Sequence, residues 1–205
     1  VWSGELAPLA RQLHAVYEMG VRQVLAGNLG QLQIAKAAGF AVRGDFGLNI
    51  YNSRAMHYLR ANGIDSQLLS FEMTLPQIRD VSKAVPAEVL IYGRLPLMVM
   101  ENCVMKNRTG TCSCQTTQTK LIDRMGEEFP IVKDPGTCRN VLLNGKKLYL
   151  LDKKESFRGM GLWALRLQFT TENAGEVDRV LSEYRSGARF EPGSCTRGLY
   201  NRGVE

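Results

Sequence analysis

The sequence predicts an α/β protein: a partial TIM-like (β/α) barrel of parallel strands with a cysteine-rich insertion before its last βα unit. Three observations carry this. Apolar segments followed by amphipathic stretches begin near residues 22, 41, 66 and 87, a spacing of roughly 20–25 residues that suits one βα unit. The rhythm stops after Met98 and returns at Gly161. The interval between holds four of the five cysteines.

"RQVLAGN" (22–28) reads as the first strand, and "LGQLQIAKAAGF" as its helix, with Ile34, Ala37 and Ala38 three and four apart. "AVRGDFGLNIYN" (41–52) is the second, followed by the helix "SRAMHYLRANGI" with Ala55, Tyr58 and Leu59 on one face. "SQLLSFEMT" (66–74) leads into "LPQIRDVSKAV", and "AEVLIYGRLPLM" (87–98) follows. Ser53 and Thr74 are placed to cap helices, and Gly39 and Gly63 to end them. "NVLLNGKKLYLLD" predicts a β-hairpin with Asn144 and Gly145 as its two-residue turn. "GLWALRLQFTT" (161–171) and the helix "ENAGEVDRVLSEYRSG" restore the rhythm.

This gives one domain over 1–205, with βα units at 1–98 and 161–187 and the insertion at 99–160. A (β/α)8 barrel needs eight strands and ~250 residues, whereas this pattern supplies five parallel strands. The expectation is the C-terminal half or more of a barrel within a longer protein; a doubly wound open sheet is the alternative. The open edge would be covered by the missing N-terminal half-barrel or by self-association.

Composition is that of an ordinary globular chain, with 44% hydrophobic and 22% charged residues. No apolar run approaches the ~20 residues of a membrane span, and the first residues do not read as a signal peptide. A cytoplasmic, reducing setting is expected, which argues against a disulfide framework. The net charge of +6 mildly suits an anionic partner such as RNA, although the basic residues are scattered.

In a βα architecture, chemistry gathers where the strands end. Asn28, Asp45, Asn49 and Asn52 are the expected substrate-binding residues. Glu72 and Arg94 are expected to be catalytic, with Glu172 at the last strand end. Asn28 and Asn52 could equally cap helices. The only histidines, His14 and His57, fall on helices, so a serine or cysteine nucleophile lacks an evident base. "GNLG" and "GDFGLN" match neither a phosphate loop nor a dinucleotide fingerprint. An acidic pair such as Glu72 and Glu101 could activate water in a hydrolytic alternative.

Cys103, Cys112, Cys114 and Cys138 form a candidate metal set, able to complete a zinc shell or hold an iron–sulfur cluster. Spacing leaves the metal open, and Cys195 stands apart.

"YGRLPLMVMENC", the following cysteines, "LIDRMGEEFPIV", "TCRN", "LYLLD" and "TRGLYNRGVE" resemble the U32 peptidase (collagenase-like protease) family. "VLAGNLG", "GDFGLNIYNS" and "SFEMTLPQI" resemble its barrel strands. The resemblance implies a TIM-like barrel and, in several branches, a four-cysteine [4Fe-4S] site used for oxygen-independent hydroxylation of RNA bases or of an aromatic quinone precursor. Other members are peptidases of unknown catalytic type, with peptide substrates. By position Cys103, Cys112 and Cys138 match the family's cysteines, with Cys114 as fourth ligand. The family's Glu-x-Phe-x-x-Gly signature keeps Glu88 and Gly93, but Leu90 replaces the Phe, and Pro96 stands where a cysteine is expected.

Overall fold

A computed structural model describes residues 3–111, 119–133, 139–187 and 193–202. In chain order the elements are α1 (Ser3–Glu18), β1 (Gln23–Ala26), α2 (Leu29–Ala37), β2 (Ala41–Gly44), α3 (Ser53–Ala61), β3 (Ser66–Leu68), α4 (Leu75–Asp80) and β4 (Ala87–Gly93). There follow β5 (Pro96–Met100), α5 (Val104–Thr109), β6 (Thr119–Ile122), β7 (Glu128–Lys133), β8 (Asn140–Leu143), β9 (Lys147–Tyr149), β10 (Ala164–Leu167), α6 (Ala174–Ser186) and β11 (Cys195–Thr196). They form two compact units.

The first unit comprises Val1–Leu90, Glu155–Arg166 and Gly198–Glu205. Its strands β1, β2, β3 and the start of β4 pair in sequence order, all parallel. One face of this sheet is mostly apolar: Val24 lies beside Val42, and Val42, Ala26 and Ala87 are buried there, with the buried polar Gln67 in register between Gly44 and Ala87. Leu32 and Ala35 of α2 and Met56 and Leu59 of α3 are buried with them. Each such leucine contributes about 1.5–3 kcal/mol by leaving water. Tyr200 is also buried, and its hydroxyl donates to the Leu90 carbonyl at 2.7 Å. Burial pushes its phenol above the usual tyrosine range.

Helix starts follow local chemistry. Asn28 and Asn52 accept from the backbone N–H groups of Gln31 and Ala55, both at 2.9 Å. The cap of α3 is therefore Asn52, and Ser53 is its first helical residue, with a hydroxyl that accepts from Ser82 N. Thr74 caps α4 as expected, in a reciprocal capping box with Gln77. Gly39 and Gly63 follow α2 and α3 with positive φ.

The second unit comprises Ile91–Lys154 and Leu167–Arg197. Its antiparallel sheet runs β5–β8–β7–β6. β5 is outermost, and Leu97, Met98 and Val99 on it are 51, 54 and 64% exposed. In the same unit, β9 pairs with the end of β4 and with β11.

Three expectations change. The predicted hairpin at 140–152 does not form, because β8 pairs with β5 and β7 while β9 pairs with β4 and β11. The Asn-Gly step instead links two sheets: Asn144 N donates to Leu95 O, and both carbonyls accept from Arg94. The strand expected over 87–98 is broken at Arg94 and Leu95. Gly93 makes the break, with φ of 132° and its α-carbon so close to Gln168 O that a Cβ would lie 2.2 Å from that oxygen. Finally, the described residues form a mixed α/β arrangement with a parallel sheet, and no closed barrel is seen among them.

Candidate functional site

The other face of the first unit's sheet is polar. Leu25, Arg43 and Ser66 are register neighbours across β1, β2 and β3, and side chains in register share a face. Glu88 on β4 joins them, its Oε1 accepting from Ser66 Oγ at 2.8 Å. Arg166 of β10 then ties the face together. Its Nε and Nη2 donate to Glu88 Oε2 at 2.9 and 2.7 Å, and its Nη1 donates to Asp45 Oδ1 at 2.6 Å. Glu88 is 5% exposed and Arg166 15% exposed, so this is a mostly buried, charge-assisted pair in which two guanidinium nitrogens share one carboxylate oxygen.

Gln23, Val24, Leu25, Arg43, Glu88 and Arg166 line an open depression of about 540 Å³. Trp163, 53% exposed, receives the Arg43 guanidinium over its ring at 4.7 Å from the centroid, within cation–π range. The arrangement offers an exposed flat ring and a cation beside hydrogen-bonding groups of both signs.

The second unit holds its own polar cluster. The Glu172 side chain is fully buried. It accepts from Lys147 Nζ at 2.9 Å, the Tyr92 hydroxyl at 3.2 Å, Thr170 N at 2.7 Å and Thr171 N at 3.1 Å. Burial pushes its carboxyl up, but the Lys147 contact and the backbone donors outweigh that and leave it below the usual range. Burial pulls Lys147 down, and the bond and charge of Glu172 more than reverse it, so the ammonium is held above its ordinary value. Burial, then the Glu172 charge, raises the Tyr92 phenol. A cleft of about 550 Å³ opens beside this cluster.

Of the residues expected from sequence, Asp45 joins the Arg166 cluster. Asn28 and Asn52 use their carbonyl oxygens as helix caps. Asn49 ends a 3-10 turn at Phe46–Leu48 with φ of 46°. Glu72 and Arg94 lie in loops beyond strands rather than inside them. Glu72 O accepts from Tyr51 OH, and Arg94 lines the cleft of the second unit. Glu72 and Glu101 fall in different units, and Glu101 pairs with Arg139 at 2.7 Å. His14 and His57 are exposed on α1 and α3.

Cys103 is buried at the start of α5, and its sulfur accepts from Lys106 N at 3.5 Å. Cys112, Cys114 and Cys138 lie outside the described residues. Among the described residues no group of three or more His, Cys, Asp and Glu could hold a metal, and no helix is long and apolar enough to cross a membrane.

Sequence reading missed Arg166, Glu88 and the Arg43–Trp163 pair as site residues. The signal was present: Glu88 and Arg166 are opposite charges inside apolar strands, and such charges need partners.

The chain matches no curated protein and no solved structure. The family model described as peptidase family U32 matches residues 1–189. With nearly its whole length covered, the chain belongs to peptidase family U32.

Proposed function

We propose that this U32 member is an enzyme domain that receives a flat aromatic ring, an RNA base or a small aromatic molecule, on the polar face of its first unit. The observation that supports the reading is the exposed Trp163 ring with Arg43 over it. Base–aromatic stacking contributes about 1–3 kcal/mol per base, and a guanidinium adds to it. Arg43 also lines the open depression, where Gln23 brings an amide able to donate to and accept from a ring edge. With both oxygens engaged by Arg166 and Ser66, Glu88 serves to orient Arg166.

A metal held by Cys103, Cys112, Cys114 and Cys138 completes the proposal, in a reducing cytoplasmic setting. The Cys103 environment fits a thiolate ligand, because a backbone N–H already points at its sulfur. A [4Fe-4S] cluster would supply electron-transfer chemistry for hydroxylation, whereas zinc would make the site structural.

The test uses a Trp2→Phe variant, in which Trp163 is the remaining tryptophan, titrated with a short single-stranded RNA and with a phenol. Saturable quenching of its emission, weakened by Arg43→Ala, is expected. Emission unchanged by both ligands would refute the ring-binding reading. Iron, sulfide and zinc content of protein purified without oxygen decides the metal.

A further inference from the structure

We propose that the cleft of the second unit is a separate oxyanion site, built to take a phosphate group on Arg94. Arg94, Lys147, Thr170, Thr171, Lys120 and Glu128 are among its lining residues. The acids there are already matched. Glu128 pairs with Lys120, Glu172 holds Lys147, and Glu176 accepts from Asn173 N in the capping box of α6 while also facing Lys147 at 3.4 Å.

Arg94 is different. Its Nη1 donates to the carbonyls of Asn144 and Gly145, and its Nε donates to Thr171 Oγ1 at 3.2 Å. All three acceptors are neutral, so among the described residues no carboxylate balances this guanidinium. Three oxygens fix its plane and leave Nη2 as the end with no hydrogen bond among the described residues.

That geometry selects the ligand. Carboxylates and phosphates both favour two parallel N–H groups of a guanidinium, and both two-point edges here include a nitrogen already committed, so Nη2 offers single bonds. A tetrahedral oxyanion has an oxygen for Nη2 and further oxygens for donors in other directions. The Thr171 hydroxyl, accepting from Arg94 Nε, has its own proton to donate. Lys147, 22% exposed, also lines the cleft, but Glu172 and Glu176 already share its charge, so Arg94 is the cation left to the ligand. About 550 Å³ is within the range of cavities that hold a nucleotide-sized ligand. The phosphate could belong to a small phosphorylated molecule or to an RNA backbone.

Isothermal titration with inorganic phosphate tests this. Wild-type protein should bind it, and Arg94→Gln and Thr171→Val should each weaken binding, the former by about tenfold or more. Circular dichroism shows whether each variant is folded, and Thr171→Val, which takes away an exposed hydroxyl and one anchor of Arg94, serves should Arg94→Gln misfold. Competition by a short single-stranded RNA assigns the phosphate to RNA; competition by a nucleoside monophosphate alone assigns it to a small molecule. No phosphate binding at millimolar concentration, or equal binding by wild type and both folded variants, overturns the proposal. Phosphate binding without Trp163 quenching would leave this site standing and remove the ring-binding one.

Discussion

Replacing Arg166 by methionine removes the link between Glu88 and Asp45 while keeping most of the side-chain volume. Glu88, 5% exposed, then keeps only the Ser66 hydroxyl among its side-chain donors. Removing one partner of a buried ion pair costs about 3–5 kcal/mol, because the remaining charge stays desolvated. Asp45, 23% exposed, can recover water, so its share is about 1 kcal/mol or less. With a urea slope of about 2 kcal/mol/M, the midpoint should fall by roughly 1.5–3 M. The assay is urea unfolding followed by Trp163 emission in the Trp2→Phe background, which reports the first unit. Arg166→Met combined with Glu88→Leu should recover most of the loss, since an apolar pair of similar volume can replace an ion pair at little cost. A single variant within about 0.5 kcal/mol of wild type, or a double variant whose loss equals the sum of the singles, would refute the buried-pair reasoning.

Three more outcomes are expected. Because the folded-state Glu172 carboxyl lies below its ordinary range, the unfolded chain binds its proton first as pH falls. The stabilisation is present above the ordinary carboxylate value of about 4.3 and is lost as pH drops through the folded value. Urea midpoints between pH 6 and 3 should therefore fall more steeply for wild type than for Glu172→Gln; parallel slopes would contradict this. Gly93→Ala combines a φ of 132° with a Cβ 2.2 Å from Gln168 O, and should lower Tm by about 6–10 °C, equivalent to ~3 kcal/mol. Gly110→Ala, at φ of 74° with open space around it, should cost only ~1–2 kcal/mol.

Local chemistry was legible in the sequence, and pairing between distant segments was not. Thr74 with Gln77 three residues on announces its capping box. The helices α2 and α3 lie where the sequence placed them, but Ala37 and Tyr58 of the faces read from spacing are exposed, and Leu32, Ala35, Met56 and Leu59 are the buried residues. The parallel order β1–β4 follows from the repeated βα spacing. "NVLLNGKKLYLLD" failed because Asn-Gly between alternating residues specifies a turn but not its partners. The second strand found a better neighbour in β4, some fifty residues earlier. At the site, reading strand ends located Asp45 and Arg94. It passed over Arg166, whose meaning depends on Glu88, 78 residues away in sequence. Only Glu88 and Asp45 together explain why an arginine stands among leucines.

One of the two outer strands of the antiparallel sheet among the described residues, Pro96–Met100, carries no charge, although edges of this kind are ordinarily guarded by lysine or glutamate. Pro96 and the register shift beside it protect one end, and the other end has neither. Crowded at high concentration, such a strand invites a second molecule to continue the sheet, and the tendency sharpens in salting-out conditions. Purification yield will thus depend on how dilute the sample stays. A gatekeeper at Val99, where 64% of the residue is exposed, would cost the fold little and lengthen the shelf life of every other experiment.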